Sequence, residues 1–144
     1  MKQIRKLRQR GAALLEFALC LPMLVLIIML VLEGSRVVRT HQVLNNAARE
    51  GARIAILQEN QGFTAAVANA VVTYAAQNGV SITAANVTVD QAVPISDASG
   101  ITFLASKVTV TYTYTVNYLA VFAWLGVPSS YSLTGQAVFR NFTS

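Results

Sequence analysis

The sequence predicts an α+β fold, with a long N-terminal transmembrane and stalk helix, a second short helix and a small antiparallel sheet of about three strands. Three observations predict it. An apolar run lies near the N-terminus, a helical pattern of polar residues continues beyond it, and a later segment alternates Val or Tyr with Thr. The first two patterns are typical of helices and the third of a half-buried strand. Helices that precede a run of strands indicate the α+β class.

The first helix is expected to cross a membrane at residues 12–32. Glu16 is the only charged residue in this range, and at about 1.5 Å per residue the helix can span a hydrocarbon core of about 30 Å. A secretory signal has a shorter apolar region followed by a small-residue cleavage site, whereas this run ends in "VLEGSRVVR". We therefore expect a retained helix in contact with membrane lipid. Pro22 should bend it, either incidentally or for a specific packing role.

The positive charge of the chain belongs to its first residues. The formal net charge is +5, yet from Ala12 onward the sequence has six basic and six acidic residues. A nucleic-acid partner is therefore not expected. Because cationic residues beside a membrane helix stay in the cytoplasm, everything after Glu33 is expected in the periplasm. The leader cations are Lys2, Arg5, Lys6, Arg8 and Arg10.

The helix is expected to continue beyond the membrane over residues 33–57. Polar and apolar residues recur there at spacings of three and four. The inner face is mostly small, and it either covers the sheet of this protein, which we favour, or receives a partner helix. The polar face contains Arg36, Arg39, Gln42, Asn46, Arg49 and Arg53, and the inner face Val37, His41, Leu44, Ala48, Ala52 and Ala55.

Residues 58–144 are expected to form a periplasmic α+β domain. A helix fits residues 64–77, and strands fit the three ranges 86–93, 107–116 and 131–140. The predicted inner face of the helix contains Phe63, Val67, Ala70, Val71 and Tyr74.

Two connecting segments of this domain carry expectations of their own. Residues 94–100 are rich in turn formers and predict a loop. Residues 118–130 form an apolar segment that ends in turn residues. We favour packing of this segment into the core, and the alternative is contact with a partner or the membrane surface.

Neither catalysis nor a cofactor is expected. One histidine and one cysteine cannot supply a His/Cys metal site within a subunit, and no phosphate loop, HExxH, CxxC or GxSxG motif occurs. Cys20 is expected to act as a small apolar residue of the membrane run. Glu33 with Arg36, and Glu50 with Arg53, are three residues apart and are expected to form surface ion pairs.

Glu16 calls for an explanation, since a charge at the centre of a bilayer helix costs about 2.5–3.5 kcal/mol. It is the fifth residue after Gly11 in "RQRGAALLEF", where a basic leader ends in glycine. This pattern resembles the processing site of class III signal peptides in type IV pilins and pseudopilins. The resemblance implies that a prepilin peptidase removes residues 1–11 and leaves Ala12 as the new N-terminus. Glu16 then neutralises that amine or the same amine of a neighbouring subunit. In an ordinary anchor it would instead lie at the interface beside the leader arginines.

Residues 10–55 resemble the TadE-like family, minor pseudopilins of the tight-adherence (Tad/Flp) pilus system. The shared features are the Glu16–Phe17 pair, Pro22, the acidic Glu33 that closes the span, and a segment like "LNNAAREGAR". Ordinary type IV pilins usually have a large apolar residue after the cut, where this chain has Ala12.

The C-terminal part resembles the family only in its general composition. Its strands are rich in Thr and Val, and it ends with "AVFR". Where the family often has an acidic residue after that arginine, this chain has Asn141.

The resemblance implies a minor pseudopilin that assembles or primes a thin pilus for surface attachment and biofilm formation. The implied partners are the prepilin peptidase, a second, TadF-like minor pseudopilin, the major Flp pilin and the inner-membrane assembly platform. A TadF-like role stays open, because those proteins share the N-terminal pattern. The alternative is a single-pass anchor that displays a periplasmic binding domain and is neither processed nor assembled.

Overall fold

The computed structural model describes residues 2–57, 62–96, 98, 100–117, 126 and 128–141, with side chains from Leu14 onward. It confirms the predicted α+β class. The elements in chain order are α1 (Lys2–Ala55), α2 (Thr64–Gln77), a 3₁₀ turn (Ala84–Asn86), β1 (Val87–Ser96), β2 (Thr102–Thr115) and β3 (Ser130–Arg140).

The chain divides into two compact units. The first comprises Met1–Arg36 and Val116–Ser129, and the second comprises Val37–Thr115 and Ser130–Ser144. Helix α1 contributes residues to both units.

Helix α1 is longer at its N-terminal end than the sequence predicts. It begins at Lys2 rather than Ala12, and it runs through Pro22 to end at Ala55, two residues before the predicted end. The additional turns are rich in Lys, Arg, Leu and Gln, which lose little side-chain freedom in a helix.

The three strands form one antiparallel sheet in the order β1-β2-β3. Central strand β2 pairs Val108 with Val89 on one side and with Ala137 on the other. The predicted alternation along β2 is confirmed, because Val108, Val110 and Tyr114 are buried while the threonines are exposed or half-buried.

The predicted loop at residues 94–100 is wrong in its first part, and β2 begins earlier than predicted. Strand β1 continues through Pro94 to Ser96, and β2 starts at Thr102. The ladder is irregular between Asp90 and Val93 and then resumes. Because β1 is an edge strand, Pro94 can lie in it without depriving a neighbour of a hydrogen-bond donor.

The small residues of α1 cover the protein's own sheet, as favoured from the sequence. They form one core cluster with apolar residues of α2 and β2. The buried members of these three elements are Val43, Leu44, Ala47, Ala48, Ala52, Ala55, Val67, Val71, Ala75, Val108 and Val110.

Two predicted inner-face positions are wrong. Phe63 is 64% exposed because it precedes the first turn of α2, so the inner face of this helix uses Ala68 and Ala75 instead. His41 is exposed on α1, where Val43 takes the buried position. The predicted polar face of α1 is exposed throughout.

Two glycines let α1 approach its neighbours closely. A Cβ atom on Gly51 would overlap the side chain of Val71 in α2 and lie 3.2 Å from Val108 Cγ1 in β2. In β3, Gly135 lies against the backbone of Leu44. A glycine inside a strand often marks such a close approach of another backbone.

Candidate functional site

The residues predicted for processing and assembly lie on the N-terminal part of α1. Gly11 and Ala12 are in its helical backbone, and Glu16 is one turn beyond Ala12 on the same face. Glu16 is exposed, as is Phe17 at 62%. The side chains of the leader cations Lys2, Arg5, Lys6, Arg8 and Arg10 lie outside the described side chains.

The segment Leu14–Leu32 of α1 exposes apolar side chains on all sides. Its exposed large apolar residues range from 40% exposed at Val25 to 74% exposed at Leu19, Cys20 is exposed with them, and Leu26 and Met29 are half-buried. Pro22 lies within this segment of the helix. The helix is long and apolar enough to cross a membrane. A continuous apolar surface of this kind requires lipid or a protein partner rather than water.

Glu33 ends this apolar segment and departs from its prediction. Its side chain is only 4% exposed, although both flanking residues, Leu32 and Gly34, are exposed. Glu33 Oε1 accepts a hydrogen bond from the backbone N–H of Asn117 at 3.2 Å. The predicted surface position of Glu33 is therefore wrong, and its pairing with Arg36 stays a prediction. The missing information was the position of Asn117, which is distant in sequence.

The second predicted ion pair, between Glu50 and Arg53, is confirmed. Arg53 Nη2 donates to Glu50 Oε1 at 2.6 Å, and Arg53 Nε donates to Oε2 at 3.0 Å. The hydrogen bond from the guanidinium lowers the pKa of the Glu50 carboxyl below its ordinary value. Both side chains are substantially exposed, so the pair belongs to the solvated face of α1.

His41 also lies on the exposed face of α1. Its Nδ1 is 3.2 Å from Asn45 Nδ2, and Asn45 Oδ1 accepts the backbone N–H of Gln136 at 3.3 Å. This contact satisfies a donor on the outer edge of β3. Among the residues that the structure describes, no cluster of three or more His, Cys, Asp or Glu side chains is arranged to hold a metal ion.

A partly buried polar network joins the C-terminal end of α1 to β1, β2 and the residue that follows β3. Asn141 Oδ1 accepts the hydroxyl of Ser106 at 2.7 Å, and Asn141 Nδ2 donates to the carbonyl of Gln91 at 2.8 Å. Gln91 Nε2 donates to the carbonyl of Ala55 at 3.1 Å. The amide of Gln91 also accepts the N–H of Gly62 at 2.8 Å. Asn141, which the sequence marks only as a departure from the family pattern, thus uses both atoms of its amide.

The fold and the exposed helix define a class of protein, a small α+β domain carried by a helix that fits a single-pass membrane anchor. Residues 11–53 match the family model described as TadE-like protein, which confirms the predicted resemblance over this segment. No significant match is found among curated proteins or solved structures.

Proposed function

We propose that this chain is a minor pseudopilin that takes part in assembly or priming of a Tad/Flp pilus for surface adherence. The observation that carries the proposal is the placement of Glu16. It lies on an exposed apolar helix, one turn beyond Ala12, in a segment whose family match begins at Gly11.

Cleavage between Gly11 and Ala12 by a prepilin peptidase gives Glu16 a physical role. It creates an α-amino group with a reference pKa of about 7.7–8.0, which is largely cationic at neutral pH. A carboxylate alone in lipid is costly, whereas a carboxylate paired with an amine is much less so. The pair forms within one chain or between neighbouring subunits, and in the second case it fixes their axial register.

The proposed setting follows from the charge distribution. With the basic leader in the cytoplasm, the helix crosses the bacterial inner membrane once and the α+β domain lies in the periplasm. The proposed partners are the prepilin peptidase, a second, TadF-like minor pseudopilin, the major Flp pilin and the inner-membrane assembly platform. The chain acts by assembly, without catalysis or a cofactor.

The first test is the N-terminal residue of the protein purified from native membranes, with and without its prepilin peptidase. We expect Ala12 at the N-terminus only when the peptidase is present. A chain that still carries the leader in both strains would contradict processing and leave a single-pass anchor with a periplasmic binding domain.

A second test separates assembly from anchoring. Glu16→Gln should abolish pilus assembly while the protein remains in the membrane, because the uncharged amide cannot pair with the amine. Glu50→Gln is the matched control, since it removes a carboxylate from the solvated face of the same helix. Pilus formation at the parental level in Glu16→Gln would argue for the plain anchor.

A further inference from the structure

The exposed side of α1 beyond the apolar segment carries a stripe of arginines. Its members follow one another at spacings of three and four, which bring them onto one side of the helix. They are Arg39, Gln42, Asn46, Arg49 and Arg53, and all five side chains are exposed. We call this set the arginine stripe, and at about 1.5 Å per residue it is about 21 Å long.

The stripe lies on a part of α1 that is fixed by the core. Leu44 and Ala48 lie on the opposite side of the same turns and are fully buried in the core cluster. The spacing of the arginines is therefore set before any partner binds, which lowers the entropy that binding costs.

Two of the three arginines have no carboxylate to neutralise them. Arg53 is bound by Glu50 of its own chain. Among the residues that the structure describes, neither Arg39 nor Arg49 forms an ion pair. Their guanidinium groups therefore give the stripe a positive field, which attracts an anionic partner.

Val38 adds an apolar contact to the same side of the helix. It is 57% exposed and precedes Gln42 by four residues. Protein interfaces combine apolar contacts with a rim of polar groups, and arginine is enriched in them. The stripe with Val38 therefore has the composition of a protein-binding surface.

A second copy of this chain does not offer a matching acidic surface. The described carboxylates outside the apolar segment are Glu33, Glu50 and Asp90. Glu33 is buried, and Glu50 is paired with Arg53. Asp90 lies directly opposite Lys107 in the sheet. The complement of the stripe therefore belongs to a different protein.

Lipid headgroups also carry negative charge, but they match the stripe less well in length. A headgroup layer is about 5–8 Å thick, whereas the stripe extends for about 21 Å along the helix. A helix or strand with Asp or Glu at matching intervals can contact the whole stripe.

We propose that the arginine stripe binds an acidic segment of a different pilus subunit. Carboxylates of that segment lie against Arg39 and Arg49, and an apolar side chain lies against Val38. This inference rests on the proposed function, because it takes the partner to be another subunit of the same assembly.

The test is photo-cross-linking in cells that assemble pili. Photoreactive p-benzoylphenylalanine replaces Gln42, which lies between Arg39 and Arg49, and mass spectrometry identifies the cross-linked peptides. We expect an adduct with a different pilus subunit, through a peptide that contains Asp or Glu. The same photoreactive residue in place of Asn69, on the exposed side of α2, is the control and should not give this adduct.

Neutral variants test the role of charge. Arg39→Gln combined with Arg49→Gln should lower the yield of the adduct about tenfold, because two ion pairs are lost. Arg53→Gln is the matched control and should keep the parental yield, since Arg53 is already paired with Glu50. Arg39→Lys combined with Arg49→Lys should also keep it, because the charge is retained. Near-UV circular dichroism of each purified variant checks that the domain remains folded.

Several results would overturn the inference. An adduct with a second copy, with lipid or with a protein outside the pilus would identify a different occupant. The absence of any adduct at Gln42 would show that the stripe faces solvent. An equal yield in the doubly neutralised variant, or an equal loss in Arg53→Gln, would show that Arg39 and Arg49 do not recognise the partner. Pilus assembly by the parent and by Glu16→Gln decides the proposed function separately from these results.

Discussion

Gly135 in β3 lies directly against the backbone of Leu44 in α1, and no space remains between them for a side chain. A Cβ atom at this position would be 2.5 Å from the carbonyl oxygen of Leu44 and 2.7 Å from the backbone nitrogen of Asn45. These are backbone atoms of a helix, so they cannot move aside as the end of a flexible side chain can. The contact brings the helix onto the sheet at a distance that only glycine permits.

Gly135→Ala should therefore destabilise the protein strongly. Overpacking usually costs about 1–3 kcal/mol, and we expect a loss at or above the upper end of that range because the clash is with backbone. The measurement is urea denaturation of the full chain in detergent micelles, followed by near-UV circular dichroism.

Gly34→Ala is the matched control for this substitution. Gly34 is a glycine of α1, and no atom lies within 4 Å of a Cβ atom built at this position. Because alanine is favoured over glycine in a helix interior by about 1 kcal/mol, stability should stay equal or rise. A similar loss in both variants would contradict the close approach at Gly135.

Gly51→Ala should be destabilising by about 1–2 kcal/mol, since the overlap with Val71 outweighs the gain in helix propensity. Val71 is β-branched and lies in α2, so its side chain has little freedom to rotate away. In a Val71→Ala background the same substitution should become nearly neutral. The four free energies of unfolding form a double-mutant cycle, and additive effects would disprove the contact.

Asn141→Asp should be destabilising at neutral pH by about 1–3 kcal/mol, the cost of leaving a buried polar group unsatisfied. The carboxylate can still accept the hydroxyl of Ser106, but it cannot donate to the carbonyl of Gln91. Asn46→Asp, on the exposed face of α1, is the control and should change stability little.

The loss in Asn141→Asp should depend on pH. Only the protonated acid can donate to Gln91, so the folded state should raise the pKa of the new carboxyl above its unfolded value. The folded state then binds more protons, and the deficit is smallest below the unfolded pKa and grows as the pH rises through the folded one. A deficit that is constant with pH would show that the donor to Gln91 is unimportant.

Arg53→Ala should raise the pKa of Glu50 to its ordinary value, because the hydrogen bond from the guanidinium is the largest cause of the lowered pKa. The measurement is a carbon NMR titration of the Glu50 carboxyl. The stabilisation linked to the lowered pKa is present above the unfolded pKa and is lost as the pH falls through the folded one. An unchanged titration in Arg53→Ala would contradict the ion pair.

Local patterns were sufficient to predict most of the secondary structure. The period of α1, the bounds of α2 and the alternation along β2 each depend on residues near in sequence, and each is recovered. The prediction that Phe63 lies on the inner face of α2 is wrong because periodicity does not show whether a residue belongs to the first helical turn or precedes it. The extension of β1 through Pro94 was missed because its partner residues in β2 were unknown.

The contacts that the sequence does not predict are between residues distant in the chain. Glu33 has a neighbour at spacing three that explains it locally, and nothing in its own segment points to Asn117. An isolated glycine within a strand pattern, such as Gly135, indicates that another backbone approaches closely. The sequence does not show which element of the fold that backbone belongs to. Asn141 was recognised only as an unusual residue, and its partners required the register of all three strands.

Because α1 is continuous, the position of a proteolytic cut decides whether the released domain stays folded. The residues that cover the sheet, from Val43 to Ala55, are the last turns of the helix whose earlier turns fit a membrane span. A protease that severs this helix before Val43 would shed a soluble domain with its interior intact. A cut after Ala55 would instead remove all the helix residues of the core cluster, and the released strands would unfold and aggregate.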